Sequence, residues 1–177
     1  MKKDKIFVKK LVTKHKNWDL LSVTGINSLF ETKFMPEYYF EGECHSPWEM
    51  VYVIDGSVGV TADDKIYTLS KGDMILHKPM EFHKIWSADG TSPCVLISSF
   101  DLDGSYIHTL GGAYHLTDDA INVMNLFLEY LHNEFKKTTS NSIDFYNTLS
   151  KNEISLQTIL NYLELILLYL SSFVKRV

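Results

Sequence analysis

Between residues 20 and 101, short apolar runs alternate with turn signals, the pattern of an all-β barrel or sandwich. The spacing predicts strands at 20–24, 28–33, 38–45, 48–54, 58–62, 66–69, 74–77, 83–87 and 94–100. Breaks fall at Met35-Pro36, Asp55-Gly56, Lys71-Gly72-Asp73, Lys78-Pro79 and Ala88-Asp89-Gly90, each with turn chemistry of its own. Ala62-Asp63-Asp64-Lys65 predicts a tight hairpin between two of these runs. Side chains alternate along a strand. In 48–54, Glu49, Val51 and Val53 therefore share one face, while Trp48, Met50, Tyr52 and Ile54 share the other. If 38–45 is extended throughout, Glu41, Glu43 and His45 share a face and Cys44 points away from it.

After residue 101 the period changes. Gly104, Gly111 and Gly112 mark a connector, and Thr117 with Asp118 and Asp119 opens a helix whose far end carries Lys136 and Lys137. Ile121, Met124, Leu128, Leu131 and Phe135 recur at helical steps. Residues 138–142 are polar, and 143–149 are ambiguous between loop and short helix. Ser150-Lys151-Asn152-Glu153 fits a capping box for a last helix reaching about Lys175. Leu156, Leu160, Leu163, Leu167, Leu170 and Val174 form one row on that helix, with Ile159, Ile166 and Phe173 beside it. Two apolar faces call for two neighbours. One is the chain's own barrel or first helix and the other a second subunit, so Ile159, Leu163, Ile166, Leu167 and Leu170 are the expected homodimer residues. Gln157, Asn161 and Glu164 interrupt the run and argue against a membrane span.

Length and charge narrow the function. At 177 residues, 45% hydrophobic and 22% charged, the chain fits one soluble domain with a sizeable core. Two cysteines make no disulfide framework and no signal-length apolar segment follows the basic start, so the cytoplasm is the expected compartment. Net charge is −5, unevenly spread: residues 1–16 hold seven lysines and one acid, which leaves −11 on residues 17–177. That sign is wrong for binding DNA phosphates.

The residues that carry chemistry cluster at Glu43, His45, Glu49 and His83. Imidazole with carboxylate suits a divalent transition metal, and equally suits polar groups that hold a ligand or water. Trp48, Tyr52, Phe82 and Trp86 could line a ligand pocket, since aromatic faces stack on sugar rings; core packing is their commoner role. His77 reads as a satisfied edge histidine. His15, His108, His115 and His132 carry no spacing signal.

Gly42 ahead of His45, then Glu49, six residues and Gly56, resembles the first cupin motif; Gly72 through Pro79 to His83 resembles the second. One His four residues before the Glu, followed by an aromatic-Glu-apolar-apolar-Tyr-Val strand, is similar to the sensor domain of AraC-type transcription regulators, as are Leu156-Gln157 and the helix through Leu167. The resemblance runs from about residue 20 to the end. It implies a mostly β fold: a cupin, or double-stranded β-helix (jelly-roll) barrel, followed by C-terminal α-helices. The corresponding division is a basic arm at 1–19, a barrel at 20–101, and a helical dimerisation region at 102–177 packed on the barrel as one domain.

Three positions depart from the cupin pattern. Glu43 replaces a His, Glu81 a Gly and Ser87 an Asn, which points away from a cupin enzyme. The expected function is therefore effector sensing and dimerisation in an AraC-type regulator. A small polar molecule, a sugar for example, would be bound by Glu43, His45, Trp48, Glu49, Tyr52, His83 and Trp86. No cofactor is required by that reading, although Glu43, His45, Glu49 and His83 could hold a divalent transition metal. DNA would be reached only through a helix-turn-helix domain outside this sequence, and no membrane partner is expected. The rival is a stand-alone metal-dependent cupin isomerase or oxygenase acting on a sugar or small acid.

Overall fold

The computed structural model describes residues 20–135, 142–144, 152–172 and 175–176. The basic arm, Lys136, Lys137, most of 138–149 and the Phe173-Val174 end of the last apolar rows lie outside them. Two sheets make the barrel. The larger has seven strands in the order β10-β1-β8-β3-β6-β9-β11, and the smaller four in the order β2-β7-β4-β5. In chain order these are β1 Ser22–Lys33, β2 Tyr39–Glu43, β3 Trp48–Asp55, β4 Ser57–Ala62, β5 Lys65–Ser70, β6 Asp73–His77, β7 His83–Ser87, β8 Cys94–Asp103, β9 Gly112–His115, β10 Ser142–Asp144 and β11 Lys175–Arg176. The expected strands at 20–24 and 28–33 are one strand, β1. Register shifts between Val23 and Gly25 and between Ile26 and Ser28 let it pair with β8 across the apparent break. The hairpin at Asp63-Asp64 forms as expected, with Ala62 opposite Lys65.

The large sheet also recruits β9, β10 and β11 from the region read as connectors and helices, so its strands continue past residue 101. Gly111 and Gly112 hid β9. Both have positive φ, and they introduce a strand that carries buried Ala113 and Tyr114 against β6.

Alternation along β3 divides the core in two. Val51 and Val53 face inward to a cluster with Val58, Val60, Leu69, Ile75, Ile85, Val95 and Ile97, drawn from both sheets. Trp48, Met50 and Tyr52 face outward, where they pack with Leu29, Met74, Leu76, Leu96 and Phe100 beneath the helices.

Those helices are α1 (Asp118–Glu134) and α2 (Glu153–Ser172). Thr117 caps α1 by accepting the Ala120 N–H at 3.4 Å. At α2 Asn152 Oδ1 accepts from the backbone N–H groups of Ile154 and Ser155, while Ser150 of the expected capping box lies outside the described residues. The helices pack on each other, and α2 also packs on β1. There Glu164 accepts the Val23 N–H at 2.9 Å and the Ser22 hydroxyl at 3.2 Å.

This packing corrects the dimer assignment. Ile159, Leu163, Ile166, Leu167 and Leu170 are buried within the chain itself, in the cluster that holds Phe127 and Leu131 of α1. They need no second subunit to leave water. By length and composition α2 could cross a bilayer, with a mean hydropathy of 1.4 over 19 residues, but these five side chains lie against the chain's own core. The apolar residues it exposes are Ile154, Leu165 and Leu168.

Candidate metal centre and ligand cavity

Where the inner face of the barrel meets its mouth, the apolar core gives way to polar side chains. Glu49 begins the inward row of β3, one alternation above Val51. His83 opens β7 and lies opposite Glu43 of β2 in the register. Glu43 reaches this face through a β-bulge. Gly42 sits at φ +105° and the β2–β7 register slips between Phe40 and Glu43. Simple alternation had put Glu41 beside Glu43. The bulge instead brings Phe40 and Glu43 to the cavity and leaves Glu41 exposed, outside the lining. Glycine is required there, because a Cβ would lie 2.6 Å from Phe82 and 2.9 Å from the His83 carbonyl.

The four expected donors converge. One ligand atom from each of Glu43, His45, Glu49 and His83 lies within 4.8 Å of all the others. His45 Nε2 is 3.4 Å from Glu49 Oε2, and His83 Nε2 is 3.3 Å from Glu49 Oε1. Both imidazoles approach Glu43 Oε1 as well, at 4.0 and 3.8 Å. The remaining ring nitrogens are committed: His45 Nδ1 donates to the Pro47 carbonyl at 3.1 Å and His83 Nδ1 to the Glu81 carbonyl at 2.9 Å. A carbonyl can only accept, so Nδ1 carries the proton in both rings and each neutral ring presents an Nε2 lone pair to the carboxylates. This is the orientation in which histidine binds metals, with the second ring nitrogen held by a backbone acceptor.

His83 Nε2 is the buried side-chain nitrogen left without a hydrogen-bond partner among the described residues. It lies 3.3 Å from Glu49 Oε1 but out of line with it, so its lone pair is free to take a proton or a metal ion. Burial penalises the charged imidazolium and would lower the His83 pKa. Glu49, the Glu81 carbonyl and Glu43 outweigh that penalty and raise it. Burial likewise pushes Glu49 upward, and His83, His77 and His45 more than reverse this, so the carboxyl stays ionised. The donor set fits a divalent transition metal: two neutral imidazoles and two carboxylates that cancel its charge.

His77 is not an edge residue. It is 1% exposed, stacks on His83 and pairs through Nδ1 with Glu81 Oε2 at 3.1 Å. Glu81 is ionised more readily than usual, since His77 and the Lys78 N–H and ammonium outweigh its burial. The Glu at the usual cupin glycine was the signal for this pair, four residues after the His.

A cavity of about 460 Å³ opens above the donors, lined also by Ser28, Phe30, Phe34, Tyr38, Phe40, His77, Lys84, Ile85, Ile97 and Ser99. Three expected ligand residues are absent from it. Trp48 and Tyr52 lie on the opposite face of β3, in the core beneath the helices. Trp86 lies outside the small sheet over Gly59, where a Cβ would come within 2.0 Å of the indole, and it lines a surface groove with Tyr39, Ile66 and Phe82. Cys44 points away from the donors, as alternation predicted, and its thiol donates to the Met80 carbonyl.

A family model described as Cupin domain matches residues 30–100. No curated protein matches the chain. Similar solved structures include a conserved protein of unknown function from Streptococcus pyogenes, 14% identical at a TM-score of 0.38 over 48% of this chain and 77% of that one. A cupin superfamily protein from Desulfitobacterium hafniense is 14% identical at a TM-score of 0.38, over 50% of this chain and 83% of that one. Oxalate decarboxylase from Bacillus subtilis, described with Mn(II) centres, is 23% identical at a TM-score of 0.36, over 56% of this chain and 28% of its own. The motif match at residues 30–100 coincides with the stretch that builds most of the barrel and all four donors, so the chain carries a cupin domain, extended by C-terminal helices.

Proposed function

We propose that the chain binds a divalent transition-metal ion through Glu43, His45, Glu49 and His83, and that the loaded site holds a small effector in the barrel of a transcription regulator's sensing half. The observation that supports metal binding is the convergence of two Nε2 lone pairs and two carboxylates within 4.8 Å, with both Nδ1 protons held by backbone carbonyls. When bound, the ion supplies a positive centre that attracts oxygen atoms of a ligand. The chain's own residues then do the rest. Glu49 and Glu43 neutralise the site, and Phe30, Phe34 and Phe40 exclude water from one side. The regulator part rests on the AraC-type sequence resemblance. It accords with the −11 charge of residues 17–177, which leaves DNA contact to a separate helix-turn-helix domain.

Elemental analysis and calorimetric titration with Mn²⁺ and Zn²⁺ test the reading. One equivalent is expected in the wild type, with His83→Ala reducing affinity by about 10–100-fold or more. A wild-type protein that binds neither ion would defeat it.

The metal-dependent enzyme is a second reading, favoured by buried His77 with its Glu81 partner beside the donors. Following a bound ligand by NMR with the loaded protein separates the two: a sensor returns it unchanged, an enzyme converts it.

A further inference from the structure

The strand register stacks the inner lining in two layers. Across the large sheet Ser28, Ser99, Glu49 and His77 stand opposite one another on β1, β8, β3 and β6, forming one polar row. Two residues along each strand the row becomes Phe30, Ile97, Val51 and Ile75. The small sheet repeats the order, with Glu43 opposite His83 and then Phe40 opposite Ile85. Two strand residues advance the chain roughly 6.5 Å, about the length of a small head group. The cavity is therefore polar in one layer and apolar in the next.

The polar row has an acceptor-seeking end. Ser28 Oγ and Ser99 Oγ are 2.7 Å apart, and Ser28 Oγ also accepts the Ser99 N–H at 3.2 Å. One of the two hydroxyl protons serves that contact. The other is left to donate into the cavity. A metal at the four donors also seeks oxygen acceptors, while the Lys84 ammonium is turned to the outer groove, against Tyr39 and Phe82. A sugar fits this badly, because its hydroxyls would meet Phe30, Phe40, Ile85 and Ile97 on one side and lose their water partners.

From this we infer that the cavity takes a small monocarboxylate with an adjacent hydroxyl or oxo group and a branched or aromatic body, an inference that rests on reading the site as an effector cavity. The head lies in the row of Ser28, Ser99 and the donors. The body lies in the layer of Phe30, Phe40, Ile85 and Ile97. This replaces a sugar with a 2-oxygenated acid as the expected effector class.

Calorimetry on the Mn²⁺-loaded full chain tests it with four probes: 3-phenyllactate, lactate lacking the body, 3-phenylpropanoate lacking the second oxygen, and L-arabinose. The expected result is 3-phenyllactate binding about tenfold or more tighter than each of the others, as an apolar body or one hydrogen bond to a charged group allows. Ser28→Ala should weaken it about tenfold or more, with the metal titration of the same variant reporting folding and ion binding separately. Arabinose binding as tightly as 3-phenyllactate, or lactate and 3-phenyllactate binding equally, overturns the inference. Should the chain take up no metal, the proposed function fails on that titration. The same four probes on the ion-free protein then decide the layered cavity, and no preference for 3-phenyllactate there overturns it too.

Discussion

The imidazole rings of His77 and His83 lie face to face, their centroids 4.4 Å apart and their planes 15° from parallel, joining the end of β6 in the large sheet to the start of β7 in the small one. Each ring has its own carboxylate, Glu81 for His77 and Glu49 for His83. The stack ties the two sheets together at the mouth of the barrel. Charge placed on His83 is therefore felt by both.

Metal and proton compete for His83 Nε2. Its raised pKa means that its favourable contribution to the ion-free fold is fully present below the ordinary value of 6.5 and is lost as pH rises through the higher folded value. Glu49, lowered from 4.5, contributes above that value and loses its contribution as pH falls through the lower folded one. The melting temperature of the ion-free protein should thus be highest in the mildly acidic range. Adding Mn²⁺ or Zn²⁺ should move the optimum upward in pH, with a proton released on binding. Thermal melts across pH, and titrations in buffers of different ionisation enthalpy, check both; a pH-independent metal affinity would contradict this account.

Gly42→Ala should damage the fold and the donor set together. The new Cβ meets Phe82 at 2.6 Å and the His83 carbonyl at 2.9 Å, at a φ of +105° that side chains rarely adopt. A loss of about 1–3 kcal/mol is expected from the strained backbone, measured by urea unfolding. Metal affinity should fall with it, because the bulge is what turns Glu43 inward.

On α2, Leu163→Glu with Leu170→Glu and Ile159→Glu with Ile166→Glu should both unfold the chain, since all four positions are buried in one core. Even Leu163→Ala alone is expected to cost about 2–5 kcal/mol. Leu165→Glu with Leu168→Glu, at the exposed positions, should keep the fold. If light scattering finds the wild type dimeric through α2, that exposed pair is the one that gives a folded monomer.

Gly59→Ala should expel the Trp86 indole from its bed on the small sheet, since the Cβ would lie 2.0 Å from the ring. Tryptophan fluorescence should shift to the red and stability should fall. Metal affinity should stay as it was, because Trp86 lies outside the barrel. A large loss of metal binding would place the indole at the cavity after all.

Much of the barrel was legible because period-two alternation is a local property. The assignment of Glu49, Val51 and Val53 to one face of β3 and Trp48, Met50 and Tyr52 to the other follows from strand geometry alone, and the two cores obey it. The same alternation should have excluded Trp48 and Tyr52 from a site built on Glu49. Bulges were not legible: Gly42 resets the parity of β2, and two slips in β1 join what reads as two strands. Nor does a helix's own periodicity say who covers each face. One of the two rows of α2 was expected to face a second subunit, yet β1 and α1 fill the space along both. His77 escaped because its partner, Glu81, is meaningful only once the turn at Pro79 and Met80 brings them together.

The two carbonyls that hold His45 and His83 belong to the main chain, at Pro47 and Glu81. A side-chain contact in that place could be erased by a single codon change; a peptide carbonyl survives every substitution that leaves the turn intact. The tautomer of both rings is thus inherited with the path of the backbone rather than with the identity of a neighbour. Residues around the mouth can drift, and the barrel can be retuned to other ligands, while its two imidazoles go on offering the same lone pairs.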